Sequence, residues 1–96
     1  MDYLAQDLDT GRWVVIELKV RMCNAAQHRA SYTKRDERRP TTDSGAPNTT
    51  QARYHAQLRG TLRLFEQTPR AKARPGVYGA VVVCTRDKVF VERWRA

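Results

Sequence analysis

The stretch Arg12 to Val20, RWVVIELKV, most limits what this chain can become. It holds no Gly or Pro, and five of its nine residues are β-branched or aromatic, so it reads as a strand. Asp2-Tyr3-Leu4-Ala5-Gln6-Asp7 reads as a shorter strand before it, and Leu8-Asp9-Thr10-Gly11 carries turn chemistry. The start of the chain is thereby committed to a β-hairpin. If Asp7 pairs with Arg12 across the turn, Asp2 lies directly opposite Glu17. Alternation along the second strand puts Val14, Ile16, Leu18 and Val20 on one face, and Trp13, Val15, Glu17 and Lys19 on the other. The first set is wholly aliphatic and is expected to face the core.

The next segment changes character. MCNAAQHRA, from Met22, can form a helical turn or two. SYTKRDERRPTTDSGAPNTT then runs polar and charged, punctuated by Pro40, Gly45 and Pro47. It carries too little apolar surface to offset its ordering entropy, which predicts a flexible basic insertion over about 29–50. Gln51 to Gln67 reads as a helix, because Tyr54, Leu58, Leu62 and Phe65 recur at helical spacing. Thr49 or Thr50 can cap its start, and Thr68-Pro69 ends it. Gly60 costs roughly 1 kcal/mol relative to Ala inside a helix, which suggests close approach of another backbone or a ligand. After the basic connector RAKARPG, Val77 to Cys84 reads as a buried strand and Lys88 to Trp94 as a half-exposed partner. The predicted order is β-β-α-β-β, with the helix across one face of a mixed sheet. At 96 residues the chain is expected to form one α+β domain with a thin core.

Charge indicates the partner. Lys and Arg number 18 against 10 Asp and Glu, a net charge of +8, and all but four of the cations are Arg. Arginine's rigid fork of donors fits phosphate oxygens, so a polyanion is the expected partner. The predicted phosphate contacts are Arg53, Arg59, Arg63, Arg35, Arg38 and Arg39. Cys23 and Cys84 are too few for a disulfide scaffold and lack His partners at zinc-ligand spacing, so they are expected as buried or free thiols. No signal peptide and no membrane-length apolar run is visible, which predicts a soluble intracellular protein of cytoplasm or nucleus and no membrane partner.

The candidate chemistry lies on the hairpin. Carboxylates directly opposite each other on neighbouring strands repel unless a cation sits between them. Mg2+ (or Mn2+) suits Asp2 and Glu17, being a hard ion that takes one or two carboxylates, waters and substrate phosphate. The backbone carbonyl of Leu18 is near enough to add an oxygen. Lys19, two residues beyond Glu17 on the same face, can hold the attacking water and offset charge on a phosphorane. Glu-x-Lys alone is a weak signal. Its weight comes from closing an apolar strand after a hairpin that opens with Asp. His55 and His28 are expected at the surface or without a catalytic partner, and Trp13, Trp94 and Tyr54 in packing rather than base stacking.

An Asp on one strand, a turn, and an apolar strand ending in Glu-Leu-Lys resembles the hairpin of the PD-(D/E)XK nuclease superfamily. The resemblance implies that Asp2 and Glu17 bind the divalent ion and that Lys19 positions or activates water. Tyr54-His55-Ala56-Gln57-Leu58-Arg59-Gly60-Thr61-Leu62 resembles the Y-x-x-Q-h-x-G-x-h pattern of the lambda-type and viral alkaline exonuclease branch. That implies a site-facing Gln57 supported by Tyr54. VVVCTRDKVFVERW resembles the closing strand pair of the same branch.

The implied fold is a restriction-endonuclease-like core of α/β-type mixed sheet. It lacks the superfamily's N-terminal helix and first strand, which a homo-oligomer or partner chain would complete. The implied function is Mg2+-dependent hydrolysis of DNA, as an exonuclease in recombination, repair or viral replication, with RNA as the alternative to DNA. The alternatives are a junction or restriction-type endonuclease, and a non-catalytic nucleic-acid-binding or assembly module retaining the fold.

Overall fold

A computed structural model describes residues 2–72 and 76–94. The hairpin forms at the expected register. Strands β1 (Asp2–Gln6) and β2 (Trp13–Val20) pair antiparallel, with Asp2 opposite Glu17 and Gln6 opposite Trp13. Asp7 organises the turn. Its Oδ1 accepts from the backbone N–H of Asp9 at 2.9 Å, its carbonyl accepts from Gly11 N–H at 2.8 Å, and Gly11 turns the chain at φ 74. The Asp9 N–H and the Tyr78 hydroxyl, both donating to it, hold the Asp7 carboxyl below its usual pKa.

Helix α1 (Ala25–Tyr32) begins in a capping box: the Asn24 side chain accepts from Gln27 N–H at 2.8 Å, and the Gln27 side chain accepts from Asn24 N–H at 3.0 Å. The expected turn or two is therefore a complete helix, and 29–32 belong to it rather than to the insertion. The remainder of that stretch contains a single isolated bridge, Thr41 to Pro47, and is tied across its base by Asp36 N–H to the Asn48 carbonyl at 2.9 Å. Helix α2 (Thr50–Glu66) starts at Thr49, whose hydroxyl accepts from Ala52 N–H at 3.0 Å. A short α3 (Pro69–Lys72) follows, covering part of the predicted connector; 73–75 of that connector lie outside the described residues.

Strand β3 (Tyr78–Cys84) joins β2 in parallel, and β4 (Val89–Trp94) adds antiparallel to β3, so the mixed sheet has the order β1-β2-β3-β4. The molecule is a small α+β protein with α1 and α2 on one side of this sheet.

That side is not the expected one. The main core joins Val15, Val81 and Val83 to Tyr32, Leu58 and Leu62, with Tyr54, Phe65, Phe90 and Trp94 packed around it. Val15, Glu17 and Lys19 therefore lie under the helices, while Val14, Ile16, Leu18 and Val20 face away. On the open face Val14, Tyr78 and Ala80 form a smaller cluster with Ala5 and Ile16, and Val20, Val89 and Val91 are more than half exposed. The reason is that β2 and β3 form a central parallel pair that is apolar on both sides. Alternation alone cannot then choose a face; the apolar stripe of α2 chooses it. Burying Glu17 is made tolerable by Lys19 beside it.

Glycine is decisive at one position the sequence did not flag. A Cβ at Gly79 would lie 2.9 Å from methyl carbons of both Leu58 and Leu62, so α2 sits closer to β3 than any side chain there would allow. The expectation for Gly60 is corrected: it is exposed, and nothing lies within 4 Å of where its Cβ would be. Among the described residues no helix is long and apolar enough to cross a membrane, and Cys23 and Cys84 are free and partly buried.

Candidate active site

In an antiparallel ladder, opposed residues alternate between exchanging backbone hydrogen bonds and not. Asp7 N–H donates to the Arg12 carbonyl at 2.7 Å, which makes 7/12, 5/14 and 3/16 the bonded positions. Asp2 and Glu17 consequently form an unbonded pair, the class whose Cα atoms come to about 4.5 Å and whose side chains lie closest. By the same alternation Leu18 turns its N–H and C=O toward the β1 side, whereas Glu17 and Lys19 turn theirs toward β3. The carbonyl proposed as an oxygen donor thus lies on the same edge as Asp2.

Above this pair lies α2. Lys19 Nζ is 3.1 Å from Glu17 Oε1 and 5.3 Å from the centre of the Tyr54 ring, within cation–π range. The Thr61 hydroxyl is shared between Asp2 Oδ2 and the Gln57 carbonyl, at 3.2 Å each. Gln57 is exposed and stands on the helical turn between Tyr54 and Thr61, the two residues that touch Lys19 and Asp2. Asp2, Tyr3, Leu4, Val15, Thr61 and Phe65 line a cavity of about 140 Å³ at this edge. Glu17 is 4% exposed and lies behind this edge, outside the lining of that cavity.

The donor set suits one class of metal. Among the described residues no three His, Cys, Asp or Glu side chains converge, so a metal relying on a complete protein cage is not served. Two carboxylates and a carbonyl fit Mg2+ or Mn2+, which keep waters and take phosphate oxygens as further ligands.

No protein-family model, curated protein or solved structure matches this chain. The reading of the site rests on its own residues.

The six arginines do not gather around Asp2 and Glu17. Arg39 is paired with Asp43, and Arg53 donates to Asn48 Oδ1 at 3.4 Å and Thr50 Oγ1 at 3.2 Å. Arg38 contributes its backbone N–H to Asp36. Arg63 is exposed on α2. Arg35 and Arg59 line a cavity of about 530 Å³ with His55 and Gln51, on the flank of α2 facing β4. The six predicted phosphate contacts are thereby divided between the loop and α2.

Sequence reasoning missed a polar cluster on that flank. His28 is buried, not partnerless: Arg21 Nη1 donates to its Nδ1 at 3.0 Å, and its ring packs 4.5 Å from Tyr32 and 4.5 Å from Phe90. Arginine cannot accept, so Nδ1 is the acceptor and the imidazole is neutral. Burial, with Arg21 as the next cause, lowers the His28 pKa. Glu92 Oε2 accepts from Gln51 Nε2 at 2.9 Å and contacts His55 Nε2 at 3.1 Å, so His55 is a polar partner of Glu92 rather than a free surface group. Burial alone would raise the Glu92 pKa, but its hydrogen bonds outweigh that and lower it. The inward set Phe90, Glu92, Trp94 was readable from alternation in KVFVERW; its partners on α1 and α2 were not.

Proposed function

We propose that the chain is a metal-dependent nuclease hydrolysing DNA phosphodiester bonds on a restriction-endonuclease-like core of the PD-(D/E)XK kind. The observation that carries this reading is the closely opposed Asp2–Glu17 pair, with the Lys19 ammonium beside it. Two acids held so close on a short edge strand gain from a shared cation. Asp2 and Glu17 would hold Mg2+ or Mn2+, with the Leu18 carbonyl at the same edge. When bound, such an ion lowers the pKa of a water and polarises a phosphoryl oxygen.

The chain's own groups do the rest. Lys19 lies next to Glu17 and can donate to the attacking water or to the oxygen on which charge builds. Gln57, one turn from both Tyr54 and Thr61, supplies an amide to orient water or phosphate. In the overall step a water oxygen bonds to phosphorus, the bond to the leaving ester oxygen breaks, and the water's proton ends on that oxygen. Phosphate contacts from Arg35, Arg53 and Arg59 would position the strand without reading its sequence. Attack from strand ends is the favoured mode, in a recombination, repair or viral replication setting.

The burial of Glu17 and its direct bond to Lys19 favour a second reading, a nucleic-acid-binding module that keeps the pair for structure alone. Incubation with linear and circular duplexes, in Mn2+ and in EDTA, decides between them. The nuclease reading expects cleavage in Mn2+ that Glu17→Ala and Lys19→Ala abolish while binding in EDTA persists. Release from ends only marks an exonuclease, and nicked circles an endonuclease. Intact DNA after incubation with the folded wild-type chain in Mn2+ sinks the proposal.

A further inference from the structure

The groove between α1, α2 and β4 holds an unexplained polar atom. The Tyr32 hydroxyl is buried and makes no hydrogen bond of acceptable geometry, although the residue is only 7% exposed. Glu92 is the acceptor it faces, near enough to join burial in raising its pKa, but the contact does not reach hydrogen-bond geometry. A buried hydroxyl without a partner destabilises the fold and calls for a reason. Tyr32 lines a cavity of about 290 Å³ together with His28, Arg29, Gln51, Phe90 and Glu92. This cavity shares Thr33 and Gln51 with the 530 Å³ cavity that carries Arg35 and Arg59. The combined groove has an aromatic end with buried polar atoms and a cationic end.

Each end has its own chemistry. Phe90 offers a partly exposed ring flanked by cations, with Arg29 at 5.7 Å and Lys88 at 5.6 Å from its centre. Flat π-systems stack on such a surface. Gln51 turns its amide nitrogen to Glu92, which leaves its carbonyl oxygen to accept elsewhere. A carboxylate has about four lone-pair sites, so Glu92 keeps acceptor capacity beside its bonds to Gln51 and His55. The aromatic end therefore presents two acceptors, Glu92 and Gln51, and one donor, the Tyr32 hydroxyl. A ring amino group with two N–H bonds, next to a ring nitrogen with a lone pair, is complementary to that set. Adenine and cytosine have this edge; thymine has one N–H and no amino group.

We infer that this groove binds one nucleotide of a single strand, its amino-bearing base against Phe90, Tyr32, Gln51 and Glu92 and its phosphate at Arg35 and Arg59. The site is separate from Asp2 and Glu17, on the opposite flank of α2, and it uses no metal. It shares with the proposed nuclease the class of partner and the Arg35 and Arg59 phosphate contacts but no metal ligand, so binding in EDTA tests it whether or not cleavage occurs.

The test is fluorescence anisotropy with short labelled oligo-dA, oligo-dC and oligo-dT in EDTA. Oligo-dA and oligo-dC should bind more tightly than oligo-dT. Tyr32→Phe removes the orphan hydroxyl, so it should raise the Tm of the free protein while weakening oligo-dA and oligo-dC about 3- to 10-fold, the span of one hydrogen bond. A purely structural tyrosine would show the first effect without the second. Arg59→Ala should weaken all three oligonucleotides and reduce the salt slope by about one. Glu92→Gln should erase the preference over oligo-dT. Unchanged binding in Tyr32→Phe, or no preference over oligo-dT in the wild type, overturns the assignment. Equal affinity for AMP and for oligo-dA would make the ligand a free nucleotide and overturn the strand reading.

Discussion

Replacing Glu17 by Gln removes a charge and keeps its shape, which makes it the sharpest probe of the candidate site. At 3.1 Å the gross attraction to Lys19 is about 5 kcal/mol for an effective dielectric of 20. Desolvation offsets most of that gain. Breaking a fully buried pair costs about 3–5 kcal/mol, because a charge is left unpaired. Here Glu17 is nearly buried but Lys19 keeps 21% of its side-chain surface and retains the Tyr54 ring, so the expected loss is about 1–3 kcal/mol. Relief of repulsion with Asp2 pulls toward the lower end.

Urea unfolding in EDTA measures this loss, and Glu17→Gln with Lys19→Met should recover much of it, since an apolar pair leaves no orphan charge. Mn2+ supplies the decisive comparison. A ligand at 100 times its Kd stabilises by about 2.7 kcal/mol, so Mn2+ should shift the wild type and leave Glu17→Gln nearly unmoved. Equal shifts in both proteins would refute the shared-ion argument.

The two contrasting glycines should respond in opposite directions. Gly79→Ala forces a methyl against Leu58 and Leu62 and should cost about 1–3 kcal/mol by thermal unfolding, whereas Gly60→Ala, with open space and ordinary helix geometry, should gain about 0.5–1 kcal/mol. The His28 pKa is lower in the folded protein than the ordinary 6.5, so the unfolded chain binds its proton first. Stability from this group is fully present above about pH 6.5 and is lost as pH falls from there toward the folded value; a stability titration should show this slope, and His28→Phe should remove it. Thr49→Ala deletes the cap on α2 and should cost about 1 kcal/mol in chemical denaturation.

The hairpin was legible because its determinants are local: Asp7 builds the turn, and the Asp7–Arg12 closure carries the register to Asp2 and Glu17. Helix α2 was legible for the same reason, through Thr49 and the Tyr54–Leu58–Leu62–Phe65 stripe. The buried face of β2 was not, since Val14-Val15-Ile16 is apolar on both sides and only the placement of α2 distinguishes them. Helix α1 gave a faint signal, with Ala25, His28 and Tyr32 at helical spacing but a titratable ring in the middle. Gly79 sits unremarked inside a valine-rich strand, and its importance comes from two leucines on another element. The Glu92 cluster joins residues far apart in sequence, Gln51 and Glu92 being 41 positions distant, and no local pattern announces such a meeting.

Strand connectivity gives the two candidate sites different requirements. Adjacent strands β1–β2 and β3–β4 close over short turns, while β2 meets β3 in parallel only after the chain has run through α1, α2 and α3. Closing a long loop takes entropy that only later contacts repay. The Asp2–Glu17 opposition belongs to one local hairpin, and Lys19 travels with it. The nucleotide groove exists only once α1, α2 and β4 have been brought together by that long closure. Local opening that frees α1 or β4 while α2 stays docked should therefore dissolve the groove and leave the acidic pair in place.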